Sequence, residues 1–333
     1  MSDAAAPEPI EALARSAAAG DPRAMGEVGR RLLLGQAAPA LPREGARLLA
    51  DAARLGDPAA AELASVLLAG GFFAPQSWRL ALDYLQLAAE AGSQRARAQL
   101  ALLAAVPPRG AAEDWAGLRA RVDVAAWTRP PAVRLLSESP RVLAVSGLAG
   151  ADACDWIVDA ARPRLERAQV KDPRTGLTVM GATRTNRVAN FAATDTSVLN
   201  LLVQARIAAA AGLDTRMMEA FAVLHYAPGE QASEHFDYLD PDVPAYAEDI
   251  ARYGQRTATA LLYLNDDYEG GETAFPELGL RHRGSKGDAL IFFSVDPQGR
   301  PDPRTVHAGR PPARGEKWVL SQFVRDRPMA PGS

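Results

Sequence analysis

From the N-terminus to about residue 105 the apolar positions, mostly Ala and Leu, recur at helical spacing among Arg and Glu. Three marks punctuate this stretch: Gly20-Asp21-Pro22, Gly56-Asp57-Pro58 and Gly92-Ser93-Gln94, each followed by alanine at 24, 60 and 96. The intervals are equal, 56 − 20 = 36 and 92 − 56 = 36. A fixed period in this range predicts a solenoid of helix pairs. Gly ends one helix, Asp or Ser caps the next, and Pro in the first turn gives up no needed donor. Leu49 recurs as Leu85 and Ala52-Ala53 as Ala88-Ala89, so small residues line the faces where helices meet. A single Ala-rich bundle is the alternative, and the matched cap chemistry argues against it.

Beyond this stretch the period changes. Pro107-Pro108-Arg109-Gly110 breaks the helical pattern, and residues 111–140 read as a linker helix with a Pro130-Pro131 kink before a strand at Arg141–Val145. Helices are predicted at Ala151–Arg162 and Thr196–Ala211, and short strands alternate with turns after them. Val223–Tyr226 and Gln231–Tyr238 flank the turn Ala227-Pro228-Gly229-Glu230, which is a hairpin signal. Asp266 to Gly271 reads as a tight acidic turn, and Lys286-Gly287-Asp288 as a turn feeding the buried strand Ala289–Phe293. The segment Tyr238–Tyr253, rich in Asp and Pro, reads as a long loop and part of a lid.

The candidate chemistry lies in this second part. All four histidines, at 225, 235, 282 and 307, fall in the last third of the chain. Residues i and i+2 of a strand share a face, so His235 and Asp237 can both point inward while Phe236 points away. His307 follows seventy residues after Asp237, and Lys317 ten residues after that. Two histidines and a carboxylate leave open positions on a non-haem Fe(II) ion. A lysine one side-chain length away can hold the far carboxylate of a dicarboxylic co-substrate. Lys317 shares one face of a final strand, Lys317–Val324, with Val319 and Ser321.

Ordered blocks carry a family resemblance over residues 137–327. They are Leu224-His225-Tyr226-Ala227-Pro228-Gly229-Glu230 before His235-Phe236-Asp237, then residues 254–266, Gly270-Gly271-Glu272-Thr273-Ala274-Phe275-Pro276, residues 286–293, and His307-Ala308-Gly309 with Gly315-Glu316-Lys317-Trp318. This region resembles the prolyl 4-hydroxylase type of 2-oxoglutarate- and Fe(II)-dependent oxygenases. The resemblance implies a double-stranded β-helix (jelly-roll) barrel with buttressing helices, following the α-helical repeat solenoid. It implies that His235, Asp237 and His307 bind Fe(2+) and that Lys317 pairs with the 2-oxoglutarate C5 carboxylate. It also places Tyr226, Tyr263 and Thr259 along the co-substrate pocket, although aromatic residues favour half-buried strand positions in any case. Arg184-Thr185-Asn186 matches a substrate-side segment, or is simply a polar loop. The implied reaction consumes O2 and 2-oxoglutarate, releases succinate and carbon dioxide, and hydroxylates an aliphatic C–H bond, with L-ascorbate restoring oxidised iron. The helical stretch, over residues 11–105, resembles the Sel-one-like branch of tetratricopeptide-type repeats.

The expected organisation is therefore repeats at 1–106, a linker at 107–140, the oxygenase domain at 141–327 and a tail at 328–333. A net charge of −3 and a pI near 5.9 provide no electrostatic footprint for nucleic acid or an anionic membrane. No apolar run is long enough to span a bilayer, and Met1–Glu8 is acidic and lacks the apolar core of a secretory signal. One cysteine, Cys154, allows no internal disulfide and reads as a small buried residue, so the expected setting is cytoplasmic. These features depart from secreted collagen-modifying relatives. The expected substrate is a prolyl residue of a protein or peptide recruited by the repeats. A free amino acid or small metabolite is the alternative, and a repeat adaptor with a relic barrel is the alternative of another class.

Overall fold

The computed structural model describes residues 8–105, 114–171, 178–179, 183–192 and 194–329. They fall into two compact units, Met1–Ala126 with Ala193–Leu202, and Trp127–Ala192 with Val203–Pro331. The Pro107–Gly110 boundary lies outside the described residues.

The first unit opens with six helices: α1 (Ile10–Ala18), α2 (Pro22–Leu34), α3 (Pro42–Arg54), α4 (Pro58–Gly70), α5 (Trp78–Glu90) and α6 (Gln94–Leu103). The 36-residue period is written in the backbone. Gly20, Gly56 and Gly92 have φ of 93°, 94° and 100°, a left-handed region that glycine enters without strain. The residue after each caps the next helix, Asp21 accepting from Ala24 N, Asp57 from Ala60 N and Ser93 from Ala96 N. Gly35 and Gly71 close α2 and α4 in the same left-handed conformation. Leu49 and Leu85 are both buried.

Small residues set the helix crossings. A Cβ on Gly45 would stand 2.5 Å from the Gly29 carbonyl oxygen and 2.6 Å from the Leu33 nitrogen, so α2 and α3 meet backbone to backbone. One period on, the same positions hold Ser65 and Ala81, both buried. Gly45→Val should destabilise this unit by about 1–3 kcal/mol, because no side-chain rotation relieves a clash with backbone. A thermal melt of the variant that matched the parent would disprove so tight an approach.

The second unit holds two main antiparallel sheets and two further two-stranded ones, Glu269–Gly270 with Pro312–Arg314 and Val170–Lys171 with Thr178–Val179. The larger runs in the order Val133–Glu138, Arg141–Val145, Ala289–Phe293, Arg256–Tyr263, Lys317–Arg325, Ala222–Tyr226, Arg187–Asn190, Glu166–Arg167. The smaller runs Leu280–His282, Thr273–Phe275, His307–Gly309, Ala232–His235. They pack face to face, with Phe275 of the smaller edge-on to Phe292 of the larger at 5.0 Å and Tyr263, Leu290 and Val319 in the same core. The central strands Arg256–Tyr263, Ala289–Phe293 and Lys317–Arg325 are buried at nearly every position, so both faces of the larger sheet are covered, and the face packed on the smaller sheet makes the jelly-roll core. The helix Ala151–Ala161 forms where expected, with Cys154 buried and its thiol pushed up to about 12 by that burial. The helix Val198–Ala211 contributes Gln204, whose side chain donates to Gln322 of the last strand at 2.6 Å.

Three expectations are corrected here. Ala222–Tyr226 and Ala232–His235 are not a hairpin pair: the first lies in the larger sheet beside Lys317–Arg325, the second in the smaller beside His307–Gly309. The turn between them therefore crosses from sheet to sheet. A strand at Val133–Glu138, hidden behind Pro130-Pro131, pairs with Arg141–Val145. The Tyr238–Tyr253 segment is not an open loop, since Pro244–Tyr253 is a helix. It is fastened at both ends: Gln255 donates to the Leu239 carbonyl and accepts from its N–H, and Arg325 bonds Asp249 at 3.1 Å. Among the described residues no helix is long and apolar enough to cross a membrane.

Candidate metal and co-substrate site

Register brings the two histidines together. His307 stands directly opposite His235 across the Ala232–His235 and His307–Gly309 strands, with ring centroids 4.4 Å apart. Asp237, just past the end of its strand, turns the same way. His235 Nε2 lies 3.5 Å from one carboxylate oxygen and His307 Nε2 3.4 Å from the other. Ligand-capable atoms of all three lie within 4.8 Å of one another.

The second nitrogen of each ring is already committed. His235 Nδ1 is 2.8 Å from the Ser233 carbonyl oxygen and His307 Nδ1 is 3.1 Å from that of Thr305. A carbonyl only accepts, so Nδ1 carries the proton and Nε2 presents its lone pair to the third side chain. Burial between Phe275 and Phe292 pushes the His307 imidazole down to about 4, against the pull of Asp237, so it stays neutral near pH 7. Burial disfavours ionisation of Asp237, but His307, His235 and the Thr259 hydroxyl outweigh it and hold the carboxyl well below the usual range. Two imidazoles and one carboxylate, all converging, form a donor set that fits a divalent iron ion.

Thr259 is where the structure departs from expectation. Its Oγ1 donates to Asp237 Oδ2 at 2.8 Å, so it orients a ligand rather than lining the co-substrate cavity. Outer partners of this kind tune metal affinity by about 10–100-fold. Thr259→Val should weaken Fe(II) binding by about tenfold, and Thr259→Ser should restore it. Anaerobic iron titration checks this, and equal affinities for all three forms would remove Thr259 from the site.

Lys317 reaches the same cavity from the larger sheet, alongside Val319 and Ser321 as the strand alternation requires. Opposite Tyr226 in register, it donates to the Gly271 carbonyl at 2.7 Å, its ammonium 5.2 Å from the centre of the Tyr226 ring and 5.6 Å from that of Tyr263. Burial pushes the amine down to about 8 despite Glu272. Among the described residues no carboxylate makes an ion pair with it, leaving a buried cation aimed at the cavity. Gly271 is required here: its φ is 69°, and a Cβ would press 2.9 Å from the Tyr268 ring and 3.3 Å from Lys317 Cδ.

Tyr226 lines the cavity, its phenol pushed up to about 12 by burial, so it stays a donor. Tyr263 is fully buried and spends its hydroxyl on Thr273 Oγ1 at 3.0 Å, which places it behind the cavity wall. Thr273, which the motif reading did not assign, and Arg184, read there as substrate-side or as part of a polar loop, both line the cavity. Thr273 was legible: in the block Gly271-Glu272-Thr273 it shares the alternation of Gly271, which reads as a turn only until Lys317 is placed on it. Arg184 bridges to Ala232 of the iron-side strand, its Nε buried with no partner among the described residues.

A fold of two packed sheets, with a two-histidine, one-carboxylate cluster and a buried lysine between them, defines a 2-oxoglutarate- and Fe(II)-dependent oxygenase. Residues 221–325 match the 2OG-Fe(II) oxygenase superfamily. The chain is 32% identical over 207 residues to prolyl 4-hydroxylase 1 of Arabidopsis thaliana, covering 58% of this chain and 71% of that relative. It belongs to the prolyl 4-hydroxylase family of these oxygenases, enzymes that use Fe(2+), 2-oxoglutarate and O2. Among solved structures it resembles the 2OG complex of a viral collagen prolyl hydroxylase from Paramecium bursaria Chlorella virus-1, at 24% identity and TM-score 0.43, covering 55% of this chain and 94% of that one. A Sel1 repeat protein from Oxalobacter formigenes aligns at 25% identity and TM-score 0.28, over 36% of this chain and 53% of that one.

Proposed function

We propose that this protein hydroxylates prolyl residues of a peptide segment in a cytoplasmic protein. His235, Asp237 and His307 hold the Fe(II), Lys317 seats the 2-oxoglutarate C5 carboxylate, and L-ascorbate keeps the metal ferrous. The N-terminal repeats recruit the polypeptide. The observation that carries the reading is the buried, carboxylate-free ammonium of Lys317 in the cavity that the three donors share. Prolyl specificity is supported by the similarity to named prolyl 4-hydroxylases, and a polypeptide substrate by the repeats. A chain with one cysteine, buried in a helix, is consistent with a reducing compartment.

When bound, Fe(II) with 2-oxoglutarate and O2 supplies an oxidant able to attack an aliphatic C–H bond. The chain's own residues position it. Phe275 and Phe292 enclose His307 and keep water from that side, while His235, with 28% of its side chain accessible, marks the side open to substrate. Tyr226 and Thr273 present hydroxyls beside the Lys317 ammonium.

The test is mass spectrometry of proteins retained by the His307→Ala form, then exposed to active enzyme with 2-oxoglutarate. A gain of one oxygen on proline, matched by succinate, is the expected result. Succinate formation stimulated by free proline and by no peptide would favour a small-molecule hydroxylase instead.

A further inference from the structure

Gly309 ends the strand that begins with His307, and both residues line the cavity from the smaller sheet. Its φ lies outside the left-handed region, so the backbone does not ask for glycine here. The demand comes from the neighbouring side chain. A Cβ at this position would stand 3.1 Å from the Tyr226 hydroxyl oxygen, 3.4 Å from the ring carbon that bears it and 3.5 Å from the next ring carbon, and these phenol atoms are its three nearest neighbours. Tyr226 is rooted in the larger sheet, opposite Lys317 in register. Its phenol therefore reaches across to the smaller sheet and ends against the strand of an iron-binding histidine. Among the described residues no hydrogen bond engages the Tyr226 hydroxyl, whereas Tyr263 spends its own on Thr273.

We propose that Gly309 is a positioning residue for the co-substrate: by carrying no side chain it sets where the Tyr226 hydroxyl stands in the cavity, and so whether that hydroxyl meets the diacid seated on Lys317. The proposal rests on the assignment of Lys317 as that seat. Carbon packs against neighbouring atoms at about 3.5–4.0 Å, so an alanine at 309 drives the phenol back by roughly half an ångström or less. The ring is buried and the open space beside it is the cavity, so the hydroxyl moves within the volume the co-substrate fills. A hydrogen bond between oxygens has its optimum near about 2.7–2.8 Å and weakens steeply off axis, so a shift of this size is felt. The metal donors are spared, because none of the three atoms nearest the added methyl belongs to His235, Asp237 or His307.

The experiment is calorimetric titration of 2-oxoglutarate into the full chain loaded with Fe(II) under nitrogen, with no prime substrate present. Gly309→Ala should weaken 2-oxoglutarate binding by about tenfold, as should Tyr226→Phe, which removes the hydroxyl itself. Fe(II) affinity should stay within about twofold of the parent in Gly309→Ala, a split that a general loosening of the strand would not give. In the Tyr226→Phe background, Gly309→Ala should cost at most about twofold more. Unchanged 2-oxoglutarate affinity in Gly309→Ala, an equal loss in both backgrounds, or iron affinity falling in step overturns the assignment. Should Gly309→Ala fail to fold, the double variant must still fold and bind as Tyr226→Phe does, and one that does not overturns it equally. Lys317→Met separates the inference from the assignment beneath it. Unaltered affinity there refutes the lysine seat, whereas a loss there with Gly309→Ala indifferent refutes the role of Gly309 alone.

Discussion

Asp237→Ala is expected to lower Fe(II) affinity and succinate formation by about a thousandfold or more, since outer-shell partners alone are worth about 10–100-fold. Asp237 is the one anionic donor of the cluster, and it sits between the two imidazoles, 3.5 Å from His235 Nε2 and 3.4 Å from His307 Nε2. Its removal also leaves the Thr259 hydroxyl without its acceptor in a buried setting. Asp237→Asn keeps the volume and loses the charge, so it separates charge from packing. Anaerobic iron titration and 2-oxoglutarate turnover are the measurements. A fully loaded Asp237→Ala protein would place the metal elsewhere.

Lys317→Met should weaken 2-oxoglutarate binding by about a hundredfold, the loss of about 3 kcal/mol typical of a buried charge pair broken on one side. The apo protein should respond in the opposite sense. Burial lowers this amine to about 8 from its ordinary 10.5, so the folded state resists protonation and carries a penalty that is full below about pH 8. That penalty fades as pH rises toward the unfolded value. Methionine removes it, and at pH 7 the apo variant should gain about 1–3 kcal/mol of stability. In the parent, 2-oxoglutarate affinity should fall by about tenfold per pH unit above about 8, as the ammonium loses its proton. Calorimetric titration across that range checks both signs. A pH-independent affinity in the parent, or unchanged affinity in Lys317→Met, would mean that another group anchors the diacid.

The repeats were legible because their signals are local. Gly56 must adopt positive φ, Asp57 must cap, and Pro58 must start the helix, all within three residues. Only part of the candidate donor set is local in this way: His235 and Asp237 share a strand alternation, whereas His307, seventy residues on, was singled out by the ordered blocks of the family resemblance. The partner of Thr259 was not legible because strand alternation specifies a face but not a partner. Thr259 shares a face with Tyr263, yet bonds Asp237, twenty-two residues back. The turn at Ala227–Glu230 misled in the same way, because a short turn between two strands does not say whether they stay in one sheet.

Helix period and cap chemistry were properties of the chain alone, because each depends on residues a few positions apart, while the candidate metal donors were picked out by ordered motif blocks spread over the second half of the chain. Sheet assignment, the pairing of His235 with His307, the hydroxyl that steadies Asp237 and the carbonyl beside the Lys317 ammonium came only with folding. They depend on which strands lie adjacent, and long-range register is decided by the closing of two sheets over one shared core.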